Sequence, residues 1–197
     1  MLIAENNNSI ASKRGYFSLP APQAARSTLK ACKSKFYALS AFLFFSFNIN
    51  YTNAEAIDVG FSSEGTALPL IIREIDSANE EILVAAYSFT SKPVSLALVK
   101  AKKRGVNVLV VADSKANQDR YTAVNYLNNH GVMVYLNDVF AIMHNKFMVF
   151  DEKTVQTGSF NYTSSAVNRN AENVIVIKDN KDVAKKFKKQ FYKLWQK

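Results

Sequence analysis

Two apolar runs, Ile82 to Phe89 with Ser88 as its one polar break and Val106 to Ala112 with Asn107 as its one polar break, constrain this chain more than any other feature. A strand with one wet face alternates apolar and polar residues, whereas a continuously apolar strand must be covered on both faces. Each run is followed by helical periodicity. Val94 to Arg104 reads as a helix that opens near Pro93 and ends at Gly105. Asp119 to Asn129 reads as another, with Tyr121, Val124 and Leu127 as its apolar stripe and Gly131 beyond its end. Upstream, Ile57 to Ser62 is a short strand, and Leu68, Ile71, Ile72 and Ile75 repeat at helical spacing, with Thr66 as N-cap and Pro69 in the first turn. Strands alternating with helices predict an α/β fold: a mixed, largely parallel β-sheet flanked by helices on both faces.

After Val132 to Leu136, a further strand, the rhythm changes. Lys146 to Phe150 and Thr154 to Thr157 predict a hairpin around Asp151-Glu152-Lys153. Asn173 to Ile177 is another strand, and Lys181 to Trp195 forms a last helix with Val183, Phe187, Phe191 and Leu194 as its apolar stripe. Seven lysines lie between Lys181 and Lys197. They read as a solvated basic face, or as a contact for the phosphates of DNA or lipid.

Residues 1–56 do not read as part of this fold. A polar, irregular opening leads to Lys30, Lys33 and Lys35, then to an apolar run from Phe36 to Phe47, then to Ala54-Glu55-Ala56. That order is the order of a secretory signal, here with an extended N-terminal region. The run is shorter than the roughly 20 residues of a stable membrane span. The expectation is therefore an exported protein, secreted or periplasmic, whose single catalytic domain spans residues 57–197. An uncleaved anchor is the competing reading. Cys32, the sole cysteine, falls in the leader, so the domain has neither disulfide nor thiolate ligand.

The domain carries 19 basic and 14 acidic side chains, a surplus of five that favours polyanions without choosing between nucleic acid and an anionic membrane. The two histidines of the chain and the scattered carboxylates offer no metal-ligand spacing, and six dispersed glycines form no phosphate-cradling loop. No metal and no cofactor is expected.

Chemistry concentrates in Met143-His144-Asn145-Lys146 and Thr157-Gly158-Ser159-Phe160-Asn161. Two apart on an extended strand, His144 and Lys146 project from one face, and so do Ser159 and Asn161. An ammonium beside an imidazole suits a phosphodiester: the cation holds non-bridging oxygens and favours the neutral, nucleophilic imidazole. Gly158 allows close backbone approach, and the hydroxyl and amide donate to phosphate oxygens. Glu172 supplies a carboxylate able to fix an imidazole tautomer. His130, before Gly131, reads as a polar residue near a helix end. Asp113 ends a buried strand, where it either meets a ligand or caps the next turn; Arg169 and Asn170, in the loop before Glu172, either touch substrate or, the favoured reading, are solvated loop.

The spacing His144-x-Lys146-x4-Asp151-x6-Gly158-Ser159-x-Asn161 resembles the HKD signature of the phospholipase D superfamily with its trailing Gly-Ser-x-Asn. Ala85-Ala86-Tyr87-Ser88-Phe89-Thr90 and Ala112-Asp113-Ser114 are similar to stretches of its short, secreted, single-motif members, some called phospholipase D and some endonuclease. The resemblance implies that His144, Lys146 and Asp151 are catalytic, with Asp151, at a strand end, also suited to a structural duty. It implies that His144 attacks phosphorus, that Lys146, Ser159 and Asn161 hold the phosphoryl oxygens, and that Glu172 orients an imidazole. It further implies one half-site per chain, completed in a homodimer where a second His144 serves as general acid. The implied activity is phosphodiester hydrolysis: a phospholipase D on phosphatidylcholine-type lipids, or a metal-independent endonuclease. A phosphate- or membrane-binding module with a dead site is the non-enzymatic alternative, disfavoured because every motif position is filled by a competent residue.

Overall fold

The predicted strands settle into one seven-stranded sheet. The structure, a computed structural model, describes residues 56–195, so the leader expected over residues 1–56 lies, Ala56 apart, outside the described residues. The order along the chain is β1 (Ile57–Phe61), α1 (Ala67–Ser77), β2 (Glu81–Ala86), α2 (Lys92–Lys103), β3 (Asn107–Asp113), α3 (Ala123–Asn129), β4 (Met133–Asn137), β5 (Lys146–Phe150), β6 (Thr154–Gly158), α4 (Ser164–Asn168), β7 (Asn173–Ile177) and α5 (Lys181–Trp195). Across the sheet the order is β1-β7-β6-β5-β2-β3-β4.

The two apolar runs become β2 and β3 near the middle of the sheet, paired parallel from Ile82↔Val108 to Ala86↔Ala112. On one face, Ile71, Ile75 and Leu98 of α1 and α2 and Leu127 of α3 pack against Val84, Val110, Met148 and Val176. On the other, α5 alone sets Ala184, Phe191 and Leu194 against Leu83, Leu109, Val111, Phe147 and Val149. Burying both faces is what continuous apolar strands require.

The sheet is mixed and flanked on both faces, but the expectation that it is largely parallel needs correcting. Only β2–β3 and β3–β4 run parallel; β1–β7, β7–β6, β6–β5 and β5–β2 are antiparallel. Helical crossovers α2 and α3 return the chain to the same sheet end and enforce parallel pairing. The tight turn after β5 lacks the length to do so, and the connection after β6, residues 159–172 with α4, re-enters the sheet at the end where β6 finishes. That turn, Phe150 to Lys153, closes through Lys153 N–H on the Phe150 carbonyl (3.1 Å), with Asp151 and Glu152 both left-handed at φ 49° and 55°. Two successive left-handed residues match the twist of a hairpin.

Smaller departures have local causes. The helix predicted from Asp119 starts only at Ala123, because the Asp119 side chain accepts the Tyr121 N–H (2.9 Å) in a turn of its own. Tyr121 is exposed and not part of the apolar stripe. Thr66 precedes α1 without capping it through its side chain; its hydroxyl accepts the Phe61 N–H instead (2.8 Å).

Candidate active site

The antiparallel half of the sheet gathers the motif residues. The start of β5, the end of β6 and the start of β7 meet at the sheet end where β2 and β3 finish, shown by the pairs Ala86↔Lys146, Phe147↔Thr157 and Gly158↔Val174. The carboxyl end of parallel strands is where open sheets bind ligands. A cleft of about 430 Å³ opens there, lined by His144, Lys146, Gly158, Ser159, Asn161 and Glu172, together with Phe187 of α5.

His144 is exposed, while Lys146 is buried and sends its ammonium to the His144 carbonyl (2.8 Å). Burial holds that ammonium below the usual lysine range, against the opposing pull of the Glu172 charge. Tyr87, just beyond β2, stands edge-on to the imidazole with centroids 4.5 Å apart, and its ring lies 5.4 Å from the Lys146 nitrogen. Sequence reasoning assigned Tyr87 no role. Its signal was only its place after a buried strand.

Ser159 donates to one Glu172 oxygen (2.6 Å) and accepts the Asn173 N–H (3.0 Å), while Asn170 donates to the other Glu172 oxygen (2.9 Å). Asn170, favoured as solvated loop, thus braces Glu172 of the site wall. Ser62, from the other end of the domain's sequence, receives the Glu172 N–H (2.7 Å) and donates to the Asn170 carbonyl (2.7 Å), so the β1–α1 connection clamps this loop. With both oxygens of Glu172 engaged in this way, no hydrogen bond joins it to His144 within the described residues. Asn161 keeps its carboxamide oxygen buried without a partner, which is unusual for a polar atom with nothing to bind. Gly158 is needed for contact: a Cβ there would fall 2.3 Å from the Asn173 carbonyl oxygen.

Asp151 is not in the cleft, and the expectation that it is catalytic is corrected. It sits at the far end of β5, roughly 20 Å along the strand from His144 at about 3.3 Å per residue. Its carboxylate accepts the backbone N–H groups of Asn79 (3.0 Å), Glu80 (2.8 Å) and Glu81 (3.1 Å), fastening the hairpin turn to the entry of β2. Asp113 likewise proves a cap. One oxygen takes the Ala116 N–H (2.8 Å), and the other takes the Met143 N–H (2.8 Å) one residue before His144. His130 lies outside the cleft and touches the Tyr126 carbonyl (2.7 Å). Among the described residues no three His, Cys, Asp or Glu side chains converge.

An imidazole open to solvent, a buried cation, a hydroxyl and an amide around one polar cleft can bind a singly charged diester and attack its phosphorus. Comparison with known proteins gives the same class. Residues 71–195 match the family model described as cardiolipin synthase, PLD-like domain. The chain is 34% identical to the phospholipase D of Rickettsia conorii over 145 residues, 74% of this chain and 72% of that one. It is 30% identical to the mitochondrial cardiolipin hydrolase of Chlamydomonas reinhardtii over 135 residues, 68% of this chain and 60% of that one. Among solved structures, Nuc from Salmonella typhimurium, a phospholipase D family member, superposes with a TM-score of 0.71 and 40% identity, covering 72% of this chain and 94% of that chain. The chain belongs to the phospholipase D superfamily and is one of its phosphodiesterases.

Proposed function

We propose that this protein is an exported phospholipase D that cleaves phosphatidylcholine-type lipids to phosphatidate and free head group, without a metal ion. The observation that carries the reading is the convergence of His144, Lys146, Ser159 and Asn161 on one cleft. An imidazole nitrogen of His144 attacks phosphorus, forming a phosphohistidine and expelling the head-group alcohol. Lys146, Ser159 and Asn161 hold the non-bridging oxygens as charge builds on them. The departing oxygen needs a proton, and water must then be activated to release phosphatidate. Each chain brings one such histidine, so the reading includes a homodimer in which His144 of a second copy does this work across a two-fold axis. Glu172 then steadies an imidazole of the assembled pair.

An apolar strip supports the homodimer. Ile57, Val59 and Phe61 of β1 are exposed, in register with Ile177, Ile175 and Asn173 of β7. Through Ile177↔Val155 they share the sheet face that α5 covers only in part. Relatives named phospholipase D and cardiolipin hydrolase support a lipid substrate. The surplus of basic side chains favours the second reading, a metal-independent endonuclease.

Phosphatidylcholine vesicles and plasmid DNA in excess EDTA, with His144→Asn as control, test both. Choline release that disappears in the variant is the expected result. DNA nicking without choline release would make the protein a nuclease and leave the site assignment in place.

A further inference from the structure

Between β4 and β5 the chain crosses the ends of β3 and β2 before reaching His144. At its tip Val139, Phe140 and Ile142 are 48%, 45% and 58% exposed. One such side chain on a surface is ordinary; three within four positions make a patch that marks a contact. The tip is held, not frayed. Asn137, buried, donates to the Leu194 carbonyl (2.8 Å) and accepts the Val139 N–H (3.2 Å), and buried Asp113 takes the Met143 N–H (2.8 Å). Buried polar side chains therefore pin both ends and present the apolar tip to solvent.

The Asn137 anchor also joins this loop to the last turn of α5. There Lys193 is exposed and Trp195 packs on Tyr135 of β4, with centroids 5.9 Å apart. The outer face of α5 exposes Lys185, Lys186, Lys189 and Lys193, and Asp182 is the only acid of the helix. Phe187 of the same helix lines the cleft. An apolar tip, a cationic helix face and the reactive cleft are thus joined through α5. Apolar side chains that enter the acyl boundary, beside ammonium groups that meet phosphates, are the chemistry of an anionic lipid surface. A nucleic acid would satisfy the lysines and give Val139, Phe140 and Ile142 nothing. The apolar strip on β1 and β7 lies across the sheet from β4, so it is a separate surface.

We propose that Val139, Phe140 and Ile142 form a docking tip that enters an anionic lipid surface and sets the His144 cleft against the head groups. The proposal rests on the phosphodiesterase reading of that cleft and names membrane lipid as its substrate class.

The test uses the full chain with Phe140→Trp in a Trp195→Phe background, mixed with phosphatidylcholine vesicles containing phosphatidylglycerol, with and without brominated acyl chains. The expected result is a blue shift of the introduced indole and quenching by bromine. In parallel, the triple variant Val139→Ser, Phe140→Ser, Ile142→Ser hydrolyses vesicle lipid about tenfold more slowly or worse, while bis(p-nitrophenyl) phosphate turnover stays within about twofold. Emission unchanged by vesicles would overturn the proposal. So would emission already blue-shifted in their absence, the mark of a tip covered by a second copy. Indole insertion without hydrolysis of any diester would support the docking tip and overturn the reading of the cleft.

Discussion

Lys146 and Glu172 illustrate how burial and charge divide the work in the cleft. Because desolvation lowers the Lys146 value and Glu172 raises it, the ammonium loses its proton at lower pH than a solvated lysine would. Activity that needs the cation should fall on the alkaline side ahead of the usual lysine range. Glu172→Gln removes the opposing influence, so the alkaline limb of kcat/KM on a soluble diester should move to still lower pH. A limb that stays in place would show that Lys146 is not the group titrating. Lys146→Met should lower kcat by about a hundredfold to a thousandfold, the usual cost of removing one donor to a developing charge. Asp151→Ala behaves differently: it strips three backbone N–H groups of their acceptor. A loss of about 1–3 kcal/mol in urea unfolding is expected, with turnover per folded molecule nearly unchanged. A folded Asp151→Ala protein without activity would return this residue to the chemistry.

At the scale of elements, the junction of β6 and β7 decides whether the cleft exists. Gly158 sits at φ 153°, and its missing side chain lets the Asn173 carbonyl pass within contact distance. Gly158→Ala would force these backbones apart at the level of Ser159 and Glu172. A destabilisation of about 2–3 kcal/mol is expected by thermal unfolding, with activity falling further than stability because Ser159 moves. The hairpin turn is a second such element. Its sequence, Asp151-Glu152, has none of the glycine that left-handed pairs favour, and the three bonds to the Asp151 carboxylate compensate.

At the scale of the whole molecule, the sheet has one face closed by four helices and one closed by α5 alone. The uncovered strip on β1 is where the proposed homodimer can be tested. Val59→Lys puts a charge on an exposed edge-strand position, so the protomer should keep its fold while the pair dissociates. Sedimentation should show a dimer for the parent and a monomer for the variant. Soluble-diester turnover should drop about a hundredfold or more, the share of a lost general acid. A fully active monomer would sink the two-histidine mechanism.

What the amino-acid order determined alone was local. Continuous apolar runs required buried strands at β2 and β3, and helical spacing marked α2 and α5. The intervals between His144, Lys146, Ser159 and Asn161 resemble a family signature, and that resemblance named the chemistry; of the four, only Lys146 lies on a strand. Tertiary structure decided what these intervals cannot encode. Strand direction beyond β4 depended on the end of the sheet at which each connection re-enters it, so antiparallel pairing prevailed where parallel pairing was expected. Asp151 belongs to the same spacing as His144, yet a straight strand carries it to the opposite end of the sheet. Tyr87 and Ser62 reach the site from 57 and 110 residues away in sequence, by Tyr87 against His144 and Ser62 against Glu172. Such contacts arise when separate elements close on one core, and no local periodicity records them.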